Sequence, residues 1–349
     1  MAAPYRNILL VRTDRIGDVV LSLPCAALVK RALPGAAVTF LAREYTAPLV
    51  RMSPDVDGVI SDDPADSALR LAAKLRRSRF DAAVLLHPTA RLALALWLAR
   101  IPVRVGTSFR LYSVLLNRRV AQHRRYSLKH ELEHNLELAG QGLGIDHPAE
   151  AAVRTEYVPQ IIVPDDLVTS SLATAKVGER RSYIVVHPGS GGSAMDWPLE
   201  RFAQLIDQIS SSGTGNGKWG IVVTLGPGEE PLKEKLRAHL KTEPIWVTGL
   251  SLPELAAVLS QAKLVVANST GPLHIATAAG TRVIGLFCPV VPCHPRRWGP
   301  YGPGHAVIMP DPDKVCKECR GTECPQFDCM RSIPVSRVLE QVQRMIATS

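Results

Sequence analysis

The chain has 349 residues, of which 46% are hydrophobic and 21% are charged, and its formal net charge is +9. This composition is that of a globular protein of about two domains, and it excludes a largely disordered chain. The longest apolar run, residues 92–99, is well short of the roughly 20 residues that cross a bilayer. The first residues also lack the pattern of a signal peptide, so we expect a cytoplasmic protein.

Short β-rich runs alternate with helical stretches along the first half of the chain. The predicted strands are residues 7–11, 38–41, 58–61, 82–86 and 103–105, and the predicted helices are residues 19–33, 45–52, 65–79, 90–100 and 130–142. Strands that alternate with helices indicate βαβ units and a parallel sheet. Residues 144–164, which contain three prolines, are predicted to be a connector.

The same alternation returns in the second half. The predicted strands are residues 183–186, 220–225, 244–247, 264–267 and 283–287, and the predicted helices are residues 199–210, 231–240, 252–261 and 272–279. The sequence therefore predicts two α/β domains. Two facing domains of this kind normally bind a ligand in the cleft between them, at the carboxyl ends of their strands.

Basic residues are concentrated in residues 101–130, which hold seven Lys or Arg and no acidic residue. Residues 1–165 carry a net charge of +6 and the remainder carries +3. A segment of this kind is suited to nucleic acid, to an anionic lipid surface or to a phosphorylated substrate. The alternative is a solvated basic loop without a partner.

The loop formed by residues 12–18 follows the first predicted strand directly. Gly17 permits a tight turn, and Asp18 falls at the start of the next helix. There its carboxylate either caps the helix amides or, at the carboxyl edge of a parallel sheet, acts as a general base. The Gly-x-Gly-x-x-Gly spacing of a dinucleotide-binding loop is missing.

The loop formed by residues 187–193 follows a strand of the second half and holds three glycines and two serines. Its amides and hydroxyls can approach a phosphate closely. A plain flexible connection is the alternative. The Lys of a P-loop is missing, so ATP hydrolysis is not indicated.

A third loop, residues 268–274, lies between a predicted strand and a predicted helix. Pro272 follows Gly271 and opens a helix with exposed amides, which makes a cradle for a pyrophosphate. His274 lies in the first turn, where it either contacts a phosphate or sugar or is a buried core residue.

Residues 268–276, with residues 279–281 and 286–289, resemble the hallmark of glycosyltransferase family nine, the ADP-heptose:lipopolysaccharide heptosyltransferases. The first loop, continued by residues 21–24, and the Gly/Ser loop, with residues 197–202, resemble two further motifs of that family in the same order. The resemblance implies the GT-B fold, in which two Rossmann-like domains with parallel sheets face each other across a cleft. The acceptor domain is then residues 1–165, and the nucleotide-sugar domain is residues 166–349.

The resemblance also implies site residues and an inverting reaction that needs no metal or other cofactor for catalysis. Asp18 is the expected catalytic base. Arg15, Arg104 and Arg110 are assigned to the acceptor. The residues assigned to the donor are Thr13, Gly17, Gly189, Ser190, Glu230, Ser269, Thr270, Gly271, Pro272 and His274.

Two positions depart from the family pattern. Met195 stands where the family usually has a Lys that neutralises donor phosphate, and Ser269 stands where it usually has an Asp. The loss of this cation and this anion from the donor site is consistent with a changed nucleotide-sugar, with a compensating cation such as Arg15, or with weak activity.

Four of the seven cysteines, Cys316, Cys319, Cys324 and Cys329, form a Cys-rich tail at residues 316–329. A disulfide framework is not expected in the cytosol. The Cys-x-x-Cys pair favours a structural zinc or iron, with reduced thiols or a labile disulfide as the alternative. Related heptosyltransferases that modify autotransporter proteins carry a metal finger with four cysteine ligands, which keeps a protein acceptor open.

The sequence therefore predicts an enzyme that moves a heptose from ADP-heptose, or a related nucleotide-sugar, to an inner-core lipopolysaccharide sugar. It is expected to be peripheral on the inner face of the inner membrane, where an anionic surface attracts the basic segment. Nucleic acid is not expected as a partner. The alternatives are a family member with another donor or a protein acceptor, and a non-catalytic protein that binds nucleotide-sugars or polyanions.

Overall fold

The computed structural model describes residues 5–146, 154–177, 182–211, 219–310, 316–319, 324 and 328–347. The chain divides into two compact units. Unit 1 is Met1–Arg125 with Lys129–Ile162, and unit 2 is Tyr126–Leu128 with Val163–Ser349. The predicted connector lies partly outside the described residues, which do not include 147–153.

Unit 1 is built on a six-stranded parallel sheet with the strand order β3-β2-β1-β4-β5-β6. The strands are β1 (Asn7–Val11), β2 (Ala37–Arg43), β3 (Gly58–Asp62), β4 (Ala82–Leu85), β5 (Val103–Thr107) and β6 (Arg118–Val120). The helices are α1 (Ile16–Val20), α2 (Pro24–Ala32), α3 (Ala47–Val50), α4 (Ala68–Arg77), α5 (Ala90–Leu98) and α6 (Glu131–Leu143). Two 3-10 turns, Leu111–Leu115 and Arg124–Tyr126, follow β5 and β6.

Unit 2 is built on a second six-stranded parallel sheet with the order β12-β11-β10-β7-β8-β9. The strands are β7 (Tyr183–His187), β8 (Gly220–Thr224), β9 (Ile245–Val247), β10 (Leu264–Asn268), β11 (Val283–Leu286) and β12 (Ala306–Ile308). The helices are α7 (Asp165–Thr174), α8 (Leu199–Ser211), α9 (Glu230–Arg237), α10 (Leu252–Ser260), α11 (Gly271–Ala278), α12 (Pro295–Trp298) and α13 (Val335–Ala347). The 3-10 turns are Val291–Cys293 and Cys329–Ser332.

The central strands explain where the functional loops begin. In unit 1, β1 pairs with β2 and β4, and its residues Ile8 to Val11 are fully buried. A strand covered on both faces is a continuous apolar run, because each side chain points into a core. The polar residues therefore start where the strand ends, at Arg12 in unit 1 and at the residues after β7 and β10 in unit 2.

The two parallel sheets confirm the predicted α/β class, and several elements differ from the prediction. The predicted helix at residues 19–33 is two helices, because Pro24 begins α2 after a turn. The short edge strands β6 and β12, and the helices α7 and α13, were not predicted. Within the described residues, we find no helix that is both long and apolar enough to span a membrane.

Candidate active site

A buried arginine organises the loop that follows β1. The Arg12 side chain is 4% exposed, and its guanidinium faces three carboxylates. Nε donates to Asp14 Oδ1 over 2.7 Å, Nη1 donates to Glu131 Oε1 over 3.0 Å, and Nη2 donates to Asp18. Glu131 begins α6, so this contact joins the first loop to a residue 119 positions further along the chain.

A second arginine contributes to the same cluster. Arg124 Nη1 donates to Glu131 Oε1 over 2.6 Å and to Asn135 Oδ1 over 3.1 Å. Two guanidinium groups therefore meet three carboxylates, which leaves one more negative than positive charge in a largely buried cluster. One carboxylate in such a cluster is expected to ionise with difficulty.

That carboxylate is Asp18. Burial raises its pKa to about 6, against the attraction of Arg12, and the charges of Asp14 and Glu131 raise it further. Burial also opposes ionisation of Asp14, but Arg12 and a 2.7 Å hydrogen bond with His87 Nδ1 lower the pKa of Asp14 below its usual value. Two neighbouring carboxyl groups with pKa values driven apart are typical of acid–base sites.

Asp18 does not cap the helix. It is the third residue of α1, whose N-cap residue is Arg15, and that cap has no side-chain hydrogen bond. The Asp18 side chain instead contacts Arg12 and remains 16% exposed. Arg15 is exposed, whereas Thr13 is buried, and the Thr13 carbonyl accepts from Arg43 Nε over 2.8 Å.

A pocket of about 480 Å³ lies in unit 1 beside this cluster. Phe109, Arg110, His123 and Arg124 line one part of it, and the rings of Phe109 and His123 stack at 4.3 Å. Arg104 is not among its lining residues: Nε donates to Leu115 O over 2.8 Å and Nη1 donates to Ile101 O. Of the arginines predicted to bind the acceptor, Arg110 thus lines a pocket, whereas Arg104 forms hydrogen bonds with backbone carbonyls of the basic segment.

The glycine-rich loop after β7 is held by a buried glutamate. Glu229 accepts from the amide of Gly191 over 3.0 Å and from the amide of Gly226 over 2.8 Å. A Cβ added at Gly189 would lie 2.1 Å from Glu229 Oε1, so this close approach requires glycine. Sequence reasoning selected Glu230 and missed Glu229, whose neighbour Glu230 is exposed at the start of α9.

Asn268, at the end of β10, ties the two loops of unit 2 together. Its Nδ2 donates to Pro188 O over 2.6 Å, and its Oδ1 accepts from the amide of Trp197 over 3.0 Å. Ser193 Oγ donates to Ser269 O over 3.0 Å. The residues predicted on these two loops are therefore neighbours at one edge of the sheet of unit 2.

The amino end of α11 faces the same edge. Thr270 is its N-cap residue and gives the helix no side-chain cap, and Pro272 lies in the first turn. Ser269, Thr270 and His274 are buried. The first amides of α11 and the amides of the glycine-rich loop form an arrangement suited to a phosphate group.

Met195 stands where the resemblance predicts a lysine, and its thioether contacts a cysteine instead of supplying a positive charge. Met195 Sδ lies 3.4 Å from Cys319 Sγ, and Met195 is partly buried against the core of unit 2. The nearby Cys288 has its pKa lowered to about 6 by a hydrogen bond from the Cys293 thiol. The family lysine thus has no replacement at this point of the loop.

The Cys-rich tail does not present a metal site in the part of the chain that the structure describes. Cys316, Cys319, Cys324 and Cys329 are described as free thiols. Burial, and then the charges of Cys288 and of the three other tail thiols, raise the pKa of Cys329. Among the described residues, however, no three His, Cys, Asp or Glu side chains are placed to share an ion.

Comparisons with known proteins agree on one family. Residues 68–328 match the family model described as glycosyltransferase family 9 (heptosyltransferase). A protein of Haemophilus influenzae, named only as a glycosyltransferase, is 29% identical over 304 residues, which cover 84% of this chain and 86% of that protein.

Solved structures show the same fold. A glycosyl transferase family 9 protein from Veillonella parvula has a TM-score of 0.83 at 20% identity, over 100% of this chain and 99% of its own. The ADP-heptose lipopolysaccharide heptosyltransferase II of Escherichia coli has a TM-score of 0.81 at 20% identity, over 98% and 99%. The predicted pair of Rossmann-like domains is therefore confirmed as the fold class.

Proposed function

The chain belongs to glycosyltransferase family 9, and from this premise we propose that it transfers a heptose from ADP-heptose to an inner-core lipopolysaccharide sugar, with inversion at the anomeric carbon. The observation that carries the mechanism is Asp18, a largely buried carboxylate with a pKa of about 6 at the carboxyl end of β1. The named substrates of a similar enzyme, the heptosyltransferase II of Escherichia coli, support the choice of donor.

Asp18 acts as the general base in this proposal. It takes the proton of an acceptor hydroxyl, and the resulting oxygen forms a bond to the anomeric carbon as the bond to the diphosphate breaks. A pKa near 6 keeps the carboxylate ionised at neutral pH and makes it a stronger base than an ordinary aspartate. Arg12 holds the carboxylate in place.

The second task of the site is to stabilise the leaving ADP. Negative charge develops on the diphosphate as the bond breaks, and amides that point at it stabilise this charge. We assign this role to the glycine-rich loop, with Gly189 and Ser190, and to the start of α11, with Thr270, Gly271 and Pro272. Ser269 and His274 lie beside them, and Thr13 and Gly17 remain donor residues of the proposal.

Glu230 is the proposed ribose contact. Both oxygens of Glu229 are occupied by backbone amides, whereas Glu230 is exposed at the first position of α9. An exposed carboxylate at this loop can accept hydrogen bonds from ribose hydroxyls.

The acceptor belongs to unit 1 in this proposal. An inner-core acceptor carries anionic groups, and the guanidinium of Arg110 at the pocket is suited to bind them. Arg15 is exposed next to the catalytic loop. Arg104 contributes through Nη2, because its other donors contact the carbonyls of Leu115 and Ile101. We further propose that the protein acts at the inner face of the inner membrane.

The pH dependence of the rate tests the role of Asp18. Because the base works only when ionised, kcat/KM is expected to rise with pH and to level off above a pKa of about 6. Steady-state rates measured from about pH 5 to about pH 8, which covers both sides of that pKa, check this expectation. A rate that is flat across that pKa would remove Asp18 from the base role.

Gly189→Ala is expected to weaken ADP binding by at least about tenfold, because the new Cβ displaces the carboxylate that orders the loop. Titration calorimetry with ADP measures the change. Gly226→Ala is the matched control, since its Cβ would lie 3.3 Å from Glu229 Oε2, a contact that a small shift relieves. Equal ADP affinity in Gly189→Ala and the control would contradict the proposed donor site.

A different nucleotide-sugar is the second candidate, because Met195 presents a thioether to Cys319 where the family has a cation. A protein acceptor belongs to the same alternative. Mass spectrometry of products across nucleotide-sugars and acceptors separates these cases from the leading proposal.

No cofactor is proposed for catalysis. A structural zinc or iron on Cys316, Cys319, Cys324 and Cys329 stays a prediction from the sequence, since the described residues do not form a coordination group. No step of the mechanism depends on it.

A further inference from the structure

Unit 1 exposes apolar side chains on two elements that pack against each other. The helix α5 and the 3-10 turn Leu111–Leu115 are in contact, and the Tyr112 hydroxyl donates to Pro88 O just before α5. Tyr112 and Leu115 pack on the same buried cluster as the inner residues of α5. Both elements also carry side chains that are exposed to solvent.

Each element presents an apolar pair to solvent. In the turn, Leu111 is 96% exposed and Val114 is 77% exposed, and residues three apart lie on one face of a 3-10 helix. In α5, Leu94 and Trp97 are also exposed and are three residues apart, so they share a helix face. We call these four side chains the apolar ridge.

Four exposed arginines lie close to the ridge along the chain. Arg100 follows α5, Arg110 precedes the turn, and Arg118 and Arg119 follow it in β6; all four are exposed. Because Arg118 and Arg119 are consecutive in a strand, their side chains point to opposite faces of the sheet. None of the four arginines forms an ion pair with another described residue. Residues 82–130 contain no Asp or Glu, so this stretch of the chain carries charge of one sign only.

Exposed apolar side chains with exposed arginines near them in the chain match the chemistry of an anionic bilayer surface. Leucine, valine and tryptophan side chains enter the region between headgroups and acyl chains, and arginines beside them bind lipid phosphates. A second copy of this chain would bring arginine against arginine, as at Arg110 beside Leu111, which disfavours a symmetric dimer through this face.

We propose that the apolar ridge, with the exposed arginines that flank it along the chain, is the surface by which this protein docks on a bilayer rich in anionic phospholipid. The proposal identifies the surface behind the membrane association proposed above, and it does not depend on the transfer reaction. Arg110 also lines the pocket of unit 1, so docking places that pocket beside the lipid surface. A lipid-anchored acceptor is then presented at the same face.

Vesicle flotation tests the proposal with the full-length chain. Wild type is expected to float with vesicles of phosphatidylethanolamine and phosphatidylglycerol, to bind phosphatidylcholine vesicles weakly, and to dissociate as salt rises. Leu111→Asp with Val114→Asp, and separately Arg118→Glu with Arg119→Glu, are each expected to weaken binding by at least about 30-fold.

The controls carry the same chemical changes at other exposed positions. Ile162→Asp adds a charge at an exposed apolar residue of unit 1, and Lys235→Glu with Lys241→Glu reverses two exposed charges of unit 2. Both are expected to bind vesicles like wild type. Brominated lipid is expected to quench wild-type fluorescence and to quench Trp97→Phe much less.

Several outcomes would contradict the proposal that this face docks on a membrane. These are wild-type protein that fails to float with anionic vesicles, ridge variants that bind like the controls, and a ridge-dependent dimer in the absence of lipid. Transfer to a water-soluble core acceptor is measured in parallel and should be unchanged by Leu111→Asp with Val114→Asp. If neither wild type nor any variant transfers heptose but vesicle binding behaves as expected, the proposed function is wrong and the docking face is still supported.

Discussion

Asp18→Asn is expected to lower kcat for heptose transfer by about 10²- to 10⁴-fold, the range for loss of a general base. The amide has the size of the carboxylate but takes up no proton at neutral pH. Arg12 keeps Asp14 and Glu131 as partners, so the fold of the loop should persist. Rapid-quench or steady-state assays measure kcat, and calorimetry should show donor affinity close to that of wild type.

Asp14→Asn is the matched control for this loss. Asp14 is a weaker base than Asp18, because Arg12 and His87 lower its pKa. Removing its charge also removes one cause of the high pKa of Asp18. The control should therefore keep substantial activity, with the acidic limb of its pH profile moved to lower pH. If Asp14→Asn is inactive and Asp18→Asn is active, the base has been assigned to the wrong carboxylate.

Arg12→Met is expected to lower the free energy of unfolding by about 3–5 kcal/mol, the usual cost of removing one partner from a buried ionic cluster. The change leaves Asp14, Asp18 and Glu131 close together with less positive charge between them. Urea unfolding measures the loss, and transfer activity should disappear with it. Arg31→Met, at an ion pair with both side chains about half exposed, should cost only about 0–1 kcal/mol.

The pH dependence gives this prediction a sign. Without Arg12, the pKa values of the buried carboxyl groups rise in the folded protein, so the folded state binds protons more tightly than the unfolded state. The destabilisation of Arg12→Met relative to wild type should therefore shrink as pH falls from 7 toward 5. A deficit that stays constant or grows toward acid would show that Arg12 acts through packing and not through charge.

The regular part of the fold follows from local patterns. Apolar runs such as residues 8–11 and 264–267, each followed by polar residues, predict buried parallel strands and the loops after them. These patterns depend on neighbours in the chain, so they can be read without the structure. The strand β6 has two exposed arginines out of three residues, so its sequence does not indicate a strand.

The partners of the loop residues depend on distant parts of the chain. Asp18 could be singled out because it follows a strand and a glycine, and its partners Arg12 and Asp14 are close in the chain. Its burial and the charge of Glu131, which also raise its pKa, come from parts of the chain more than a hundred positions away. Glu229 and Glu230 are adjacent and chemically identical in the sequence. Only the closeness of Glu229 to Gly189 separates the residue that orders the loop from the one that remains exposed.

The exposed ridge also needs the structure. The sequence places seven basic residues at 101–130, but it does not say that Leu111 and Val114 point outward while Tyr112 and Leu115 pack inward. The period of three in a 3-10 turn produces this division, and the turn itself is not evident in the sequence.

Mass spectrometry of the acceptor after incubation with ADP-heptose tests the central proposal most directly. Purified wild-type protein and a heptose-deficient lipopolysaccharide acceptor should give an acceptor that has gained the mass of one heptose, with one ADP released per transfer. Asp18→Asn should give almost no product under the same conditions. Donor binding without transfer, or transfer only from a different nucleotide-sugar, would contradict the proposed reaction.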